Sequence, residues 1–157
     1  MNKQVWIEKA LGLGIQEFEI YQSTTVEKEM TWFQGQMDTL VSSKVTGTSI
    51  RGIVDGKMAN MALEEIDDSM CETVLKSLIE QAHIISNEET DSLRKPEPIE
   101  YAKKDVTWNM ASTEYVKDIL QSLEAKILAY DPRVIQVGYL GYSQGSGSRS
   151  IVNRLGM

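Results

Sequence analysis

The sequence has few of the side chains on which metal and nucleophile chemistry depends. Its 157 residues include one cysteine, Cys71, and one histidine, His83. A single cysteine cannot form an internal disulfide and fits a reducing compartment, so we expect a cytoplasmic protein. A zinc ion normally takes three or four protein ligands. We therefore expect no catalytic, cofactor-binding or metal-binding residues in this chain.

Basic charge and long apolar runs are also lacking. The 16 Lys and Arg are outnumbered by 23 Asp and Glu, the net charge is −7, and no basic stripe is visible. Direct binding to nucleic-acid phosphates is therefore not expected. No apolar run reaches about 18 residues, and residues 1–8 lack the apolar core of a signal peptide, so no membrane partner is expected.

Cys71 and His83 lie on one predicted helix, about 18 Å apart along its axis, so they cannot share a metal ion within one subunit. Cys71 falls on the apolar stripe of that helix, which favours a buried small hydrophobe over a reactive thiolate. His83 neighbours the stripe, and we predict that it lies at the boundary of the core and makes a hydrogen bond.

Residues 141–145, Gly-Tyr-Ser-Gln-Gly, match the G-x-S-x-G pattern of a hydrolase nucleophile elbow, with Ser143 as the nucleophile. That elbow requires a helix directly after the serine and a histidine later in the chain. Here the following residues suit a hairpin turn, and His83 precedes Ser143. A small serine hydrolase is therefore only a third hypothesis for this protein.

Adjacent carboxylates occur at Glu64–Glu65, Asp67–Asp68 and Glu88–Glu89. Paired carboxylates can act as acid and base when one is buried and its pKa is raised. These pairs lie at a helix start or in a polar connection. Helix capping and solvation explain them without a catalytic role.

The hydrophobic pattern predicts an α+β fold, in which an antiparallel β-sheet meander has helices packed on one face, in the order αββββα-αββ. Asp55-Gly56 favours a two-residue type I′ hairpin because both turn positions need a positive φ. Asp67 is predicted to be the N-cap of the clearest helix, and Gly47 and Gly145-Ser146-Gly147 are predicted to interrupt strands. The predicted helices are 2–12, 67–85 and 112–130, the last with Val116, Ile119, Leu120, Leu123 and Ile127 inward. The predicted strands are 18–33, 40–45, 49–54, 57–63, 134–142 and 150–153.

The chain is predicted to form one domain over 1–157, with halves 1–87 and 105–157 joined by an exposed, charged linker over 88–104. Pro96 and Pro98 in this linker remove backbone donors and disfavour helix in the residues before them. At the end of the chain, an apolar run enters an Asn-x-x-Gly turn at residues 153–156 and stops. We expect from this pattern that the chain is the first part of a longer protein.

Several segments, in order and across nearly the whole chain, resemble the N-terminal domain of the TldD/PmbA family, closer to its PmbA branch. Residues 14–21 (Gly-Ile-Gln-Glu-Phe-Glu-Ile-Tyr) are similar to the family's strand entry after its first helix. Residues 47–57 are similar to its Gly-x-Gly-Val-Arg-Val hairpin, with Ser49 in place of one glycine. The other matching segments are 34–38, where the family has Asn-Gly-Glu-Val-Glu, the helix entry at 62–70, and residues 131–134 and 152–157.

The resemblance implies a cytoplasmic, peptidase-related protein of the group once labelled modulators of DNA gyrase, which acts on unfolded or leader peptides. It implies pairing with itself or with a TldD-like subunit. In the TldD branch, an HExxxH motif beyond this domain holds a metal ion. The resemblance therefore allows for zinc in a TldD-type partner. This chain contains no HExxxH, so the resemblance assigns no catalytic residue and leaves open whether the chain belongs to an active enzyme.

Two main hypotheses for function remain open. The first is an N-terminal scaffold domain that encloses a peptide and helps to form a dimer in a PmbA/TldD-like metallopeptidase-family protein. The alternative is a stand-alone, non-enzymatic α+β interaction module. Neither hypothesis requires a metal ion or a cofactor in this chain.

Overall fold

The computed structural model describes residues 1–64, 66–86, 89–97 and 109–155. Each end of the first helix follows from its sequence: the Asn2 side chain accepts from the Val5 amide at the start, and Gly14 adopts a φ of 89° just beyond the end. The helices are α1 (Lys3–Gly12), α2 (Cys71–Ile84) and α3 (Thr113–Tyr130), and the strands are β1 (Glu17–Phe33), β2 (Gln36–Val54), β3 (Lys57–Leu63) and β4 (Leu140–Asn153).

The four strands form one antiparallel sheet in the order β3-β2-β1-β4. Strands β2 and β3 are joined by Asp55 and Gly56, whose φ angles are 50° and 75°. Their register runs from Val54 opposite Lys57 to Thr48 opposite Leu63. Positive φ angles at both turn residues match the right-handed twist of the strands, so the predicted type I′ hairpin and the predicted α+β class are confirmed.

Strand β2 continues through Gly47, where a break was predicted. Cross-strand hydrogen bonds lie on both sides of this glycine, from Gln22 to Thr48 at 3.3 Å and between the Thr24 and Thr46 hydroxyls at 3.0 Å. Since β1 holds the ladder on either side, the conformational freedom of Gly47 does not end the strand. The two strands predicted at 40–45 and 49–54 are therefore one.

Strand β4 likewise continues through the predicted turn at Gly145-Ser146-Gly147, while residues 134–139 form no strand. A Cβ added at Gly145 would lie 3.3 Å from the Val26 carbonyl oxygen. Glycine is favoured in a strand where a neighbouring backbone approaches this closely. Gly145, which was predicted to lie in a turn, is therefore part of the strand pairing.

The chain divides into two compact units, residues 1–24, 46–101 and 148–157 in the first unit and residues 25–45 and 102–147 in the second. These units do not follow the predicted halves 1–87 and 105–157, because β1, β2 and β4 each contribute residues to both. The prediction of a single domain remains a prediction.

In the first unit, α1 and α2 cover one face of the sheet. Trp6, Phe18 and Leu75 are fully buried there. Asp68 accepts hydrogen bonds from the Trp6 indole at 2.9 Å and from the Asn2 backbone amide at 2.8 Å, which joins the start of α1 to the segment before α2. The buried core is Trp6, Ile7, Ala10, Ile15, Phe18, Ile20, Ile50, Val54, Ala59, Cys71, Val74, Leu75, Leu78 and Ala82.

Helix α2 begins at Cys71, four residues later than predicted, because a 3-10 turn at Asp68–Met70 precedes it. Asp67 caps that turn, and its carboxylate accepts from the Ser69 amide at 2.7 Å. The hydrogen bonds from Ser69 hold the pKa of Asp67 below its ordinary value. The capping role predicted for Asp67 is correct, but it applies to the 3-10 turn.

The described part of the predicted linker, residues 89–97, lacks regular secondary structure but is not wholly exposed. Leu93 is buried, and its amide donates to the Glu17 carboxylate at 2.6 Å. Asp91 donates its amide to the Gly56 carbonyl and accepts from the Met58 amide. Residues 89–91 therefore attach to the β2–β3 hairpin, and Leu93 attaches to β1. The predicted linker positions 88 and 98–104 lie outside the described residues.

In the second unit, α3 packs Val116 and Leu120 against Met30 and Trp32 of β1. Glu124, one turn further along α3, is also buried. Helix α3 starts where predicted, with the Ser112 side chain accepting from the Tyr115 amide. The predicted inward residues Ile119 and Leu123 are nevertheless exposed, because the helix turns the 116-120-124 stripe toward the sheet.

Candidate functional site

A row of polar side chains crosses all four strands of the first unit. Asn60 of β3 lies opposite Arg51 of β2, Arg51 contacts Glu19 of β1, and Glu19 contacts Asn153 of β4. We call Asn60, Arg51, Glu19 and Asn153 the polar row. Side chains alternate between the two faces of a strand, so the polar row lies on the face opposite Phe18, Ile20 and Ile50, away from α1 and α2.

Glu19 is the centre of the polar row and is 2% exposed. One carboxylate oxygen accepts from Arg51 Nε at 2.6 Å and contacts Arg51 Nη2 at 2.5 Å. The other oxygen accepts from Asn153 Nδ2 at 3.2 Å. The Arg51 side chain is 46% exposed, so the buried carboxylate holds a guanidinium that still faces solvent.

A groove of about 310 Å³ lies over the polar row. Its wall mixes hydrogen-bonding groups with two apolar side chains, so it offers both polar contacts and apolar surface. Such a mixture is common in small-ligand sites. The lining residues are Glu19, Tyr21, Ser49, Arg51, Met58, Asn60 and Ile151.

A second buried carboxylate lies in the second unit. Glu124 accepts from the Trp32 indole Nε1 at 2.6 Å and from the Gly35 amide at 3.0 Å. Gly35 belongs to the turn between β1 and β2, where Gln34 and Gly35 have φ angles of 49° and 76°. Glu124 therefore attaches α3 both to the core tryptophan and to the tip of the hairpin.

Within the described part of the chain, one edge of the second unit's hairpin has no partner strand. Among those residues, strand β3 pairs with β2 over Thr48–Val54, and β1 occupies the other side of β2. Along residues 36–45, the described chain places no strand on the outer side of β2. This segment contains no proline and a single lysine, Lys44. Its exposed apolar side chains are Met37, Leu40, Val41 and Val45.

The outer surface of α3 is also apolar in part. Tyr115, Ile119 and Leu123 are exposed there, at 60%, 38% and 42%. Together with Asp118, Ser122 and Lys126 they border a shallow groove of about 470 Å³. Exposed apolar surface of this kind is common at protein interfaces.

The structure does not give Ser143 the context of a nucleophile elbow. Ser143 lies within β4, and the strand continues to Asn153 where an elbow would turn into a helix. The serine belongs to the second unit and His83 to the first. Strand continuation removes the backbone arrangement on which the serine-hydrolase hypothesis depends.

Cys71 and His83 have different environments on α2. Cys71 is fully buried in the core, as predicted, and burial raises the pKa of its thiol. The His83 side chain is 58% exposed, and its Nε2 lies 3.7 Å from the Asp55 carboxylate. His83 is therefore a surface residue rather than the boundary residue that was predicted.

Among the described residues, no group of three or more His, Cys, Asp or Glu side chains is placed to hold a metal ion. The described helices include none that is long and apolar enough to cross a membrane. Of the predicted acidic pairs, Glu65 and Glu88 lie outside the described residues. Asp67 accepts hydrogen bonds from the Ser69 hydroxyl and amide, and Asp68 accepts from the Asn2 amide and the Trp6 indole. These bonds lower the pKa of each carboxyl.

The polar row and the Glu124 contacts were not predicted from sequence. Glu19 alternates with apolar residues on β1, a pattern that predicts a solvent-facing position on the strand. Glu124 is likewise expected on the solvent-facing side of its helix. The sequence gives one weak indication of the polar row. Arg51 lies in the middle of an otherwise apolar hairpin strand, where a charged side chain needs a nearby counter-charge.

The architecture is that of an antiparallel sheet with helices, and solved structures share it. TldE from Thermococcus kodakarensis is similar with a TM-score of 0.80 and 17% identity, over 98% of this chain and 35% of that chain. A proposed modulator of a DNA gyrase from Thermotoga maritima has a TM-score of 0.75 and 18% identity, over 99% of this chain and 35% of that one. A similarly described protein from Bacteroides thetaiotaomicron gives 0.73 and 18%, over 98% and 36%.

Residues 18–86 match the family described as PmbA/TldA metallopeptidase domain 1. This match confirms, over residues 18–86, the resemblance to the TldD/PmbA family that was found in the sequence. No curated protein matches the chain by sequence. The chain spans about a third of the length of the solved structures to which it is similar.

Proposed function

We propose that this chain is the N-terminal scaffold domain of a larger, cytoplasmic PmbA/TldD-type protein, where it encloses a peptide and helps to join two subunits. The partner is a second copy or a TldD-like subunit, and any zinc would be held by that partner. The larger protein would act in peptide processing or proteolysis. The observation that carries the proposal is the edge of β2 at residues 36–45, beside which the described residues form no strand.

An unpaired strand edge presents backbone N–H and C=O groups to any extended segment. Proteins that remain monomeric usually protect such edges with charge, proline or a covering element. Here Lys44 and Asp38 are the only charges along the edge, and four exposed apolar side chains flank them. An extended peptide or a strand from another subunit can add to this edge, with backbone bonds giving affinity and side chains giving selectivity.

The exposed apolar surface of α3 supports the subunit-joining half of the proposal. Tyr115, Ile119 and Leu123 would lose solvent contact against a second subunit. The hydrophobic gain is about 25 cal/mol per Å² of apolar surface covered. This surface is a separate stripe of α3, next to the buried stripe of Val116 and Leu120, so its use leaves the core of the second unit intact.

The test of peptide binding is fluorescence anisotropy with a labelled, unstructured peptide of alternating Val and Thr, about ten residues long to match the edge. We expect Val41→Lys, which places a charge at the centre of the edge, to raise Kd at least about tenfold, a loss of about 1.4 kcal/mol. Ile135→Lys is the matched control, because Ile135 is 90% exposed and lies outside the strands. Equal binding by both variants would exclude the β2 edge.

A second peptide separates strand addition from simple hydrophobic contact. N-methylation at alternate residues removes the donors along one peptide edge while leaving the side chains unchanged. We expect the peptide methylated on the pairing edge to lose binding and the one methylated on the other edge to keep it. If both methylated peptides bind like the parent, the peptide does not add as a strand, and the proposal fails at this edge.

The intact mass of the native gene product distinguishes the scaffold from the stand-alone interaction module. A mass well above that of the 157-residue chain supports the scaffold. A mass equal to that of the chain would favour the interaction module, for which the same strand edge would serve as the binding surface.

A further inference from the structure

Several hydrogen-bond donors line the groove over the polar row, and one of them is a guanidinium. A guanidinium has five N–H groups and no acceptor. Arg51 uses Nε and Nη2 on Glu19, and within the described part of the chain its Nη1 group makes no hydrogen bond to protein. Asn60 and Ser49, which line the same groove, bring an amide NH₂ and a hydroxyl.

Glu19 fixes Arg51 without occupying the groove. Both of its oxygens are engaged, one by Arg51 and the other by Asn153, and the side chain is almost wholly buried. A guanidinium held from one side by a buried carboxylate loses little freedom when it binds a second acceptor from the other side. Glu19 is therefore a positioning residue for Arg51.

A carboxylate is the ligand group that matches this arrangement, since it accepts hydrogen bonds at both oxygens and donates none. Arginine pairs with carboxylates through two parallel N–H···O bonds, which are stronger than bonds between neutral groups. The apolar side chains of Met58 and Ile151 border the same groove and provide surface for the carbon atoms next to the carboxylate.

We propose that this groove binds a carboxylate group of a peptide, through Arg51 with donation from Asn60 and Ser49. The source is either the peptide's C-terminal carboxylate or an Asp or Glu side chain. The proposal deepens the proposed peptide-binding function, and it rests on that function only for the identity of the ligand as a peptide. Because Glu19 already neutralises part of the Arg51 charge, we expect a Kd on the order of 1 mM.

The test is an NMR titration of the full chain with three probes. These are N-acetyl-alanyl-alanine, its C-terminal amide, and N-acetyl-glutamic acid α-amide, which carries only a side-chain carboxylate. We expect the Arg51 Nε–H and Asn60 side-chain signals to shift saturably with one or both carboxylates and not with the neutral amide. The better of the two carboxylates identifies the source. Equal shifts with the neutral amide, or no shift with either carboxylate, would overturn the proposal.

Two variants keep the test independent of folding. Asn60→Ala, at an exposed strand position, should raise Kd about tenfold, and Asn109→Ala, an exposed asparagine outside the groove, should leave it unchanged. Unchanged binding by Asn60→Ala would count against the assigned contacts. Val41→Lys should bind the small carboxylates normally, so failure of the strand edge and failure of the groove are measured separately.

Discussion

The Glu124 carboxylate and the Trp32 indole form a 2.6 Å hydrogen bond that is buried between α3 and β1. The same carboxylate accepts from the Gly35 amide at the hairpin tip. A buried donor such as the Trp32 N–H is costly to leave without a partner. Glu124 thus stabilises the second unit at a place where an apolar residue would fit the helix pattern equally well.

Replacing Glu124 with alanine should lower the free energy of unfolding by about 2–3 kcal/mol, because Trp32 and Gly35 both lose their acceptor. Glu124→Gln keeps one oxygen acceptor and should cost about half as much. Urea unfolding measures both values, provided that the m-value stays constant. Gln121→Ala, at an exposed position on the same helix, is the control. A loss of equal size at Gln121 would mean that the effect is not specific to the contacts of Glu124 with Trp32 and Gly35.

Two glycines of β2 should respond oppositely to alanine. At Gly52 an added Cβ would lie 2.9 Å from both Ile15 Cγ2 and Leu78 Cδ2, and overpacking of this kind costs about 1–3 kcal/mol. At Gly47 the nearest atom, Ser23 Oγ, is 3.7 Å away. Alanine at Gly47 should leave the stability of the protein unchanged or raise it by up to about 1 kcal/mol, because it lowers the conformational entropy of the unfolded chain. Thermal unfolding of the two alanine variants measures the difference. Equal destabilisation by both variants would contradict the close packing of Ile15 and Leu78 around Gly52.

Cys71 should resist thiol reagents in the folded protein. Its side chain is fully buried, and burial raises the pKa of the thiol, so both access and thiolate fraction are low. The rate of reaction with a colorimetric disulfide reagent should rise sharply only when denaturant unfolds the first unit. Ser42→Cys places a thiol on the exposed β2 edge and should react at once. Rapid labelling of Cys71 in native conditions would contradict the observed core.

Local sequence rules predicted the elements whose ends depend on nearby residues. Asp55-Gly56 defined its hairpin, and Ser112 and Asp131 bounded α3, because turns and caps are short-range interactions. The family resemblance also came from sequence, through weak segments in a consistent order. These features required no knowledge of which strand lies beside which.

The errors occur where a distant residue decides the outcome. Gly47 and Gly145 were predicted to interrupt strands, but β1 pairs with the backbone around each of them. Leu93 read as part of an exposed linker, but its amide bonds to Glu17 and its side chain is buried. The registers of three strand pairs must be known before the four residues of the polar row can be placed side by side. None of these contacts leaves a periodic signal in the sequence.

Asp68 should make the stability of the first unit depend on acidic pH. Hydrogen bonds from the Asn2 amide and the Trp6 indole hold the pKa of Asp68 below its ordinary value of 3.8. A carboxyl with a lowered folded pKa contributes stability that is complete above the unfolded value and is lost as pH falls through the folded value. The melting temperature should therefore drop below about pH 4, and Asp68→Asn should reduce the slope of that drop.

Asp131 offers a matched comparison, because its pKa is also lowered, by hydrogen bonds from Arg133. Asp131 and Arg133 are two residues apart and can pair in the unfolded chain as well, whereas Asp68 meets Asn2 and Trp6 only in the folded chain. Since stability depends on the difference in bound protons between the two states, Asp131→Asn should change the acid slope less than Asp68→Asn. The reverse order would show that the contact between the start of α1 and the turn before α2 is not maintained in solution.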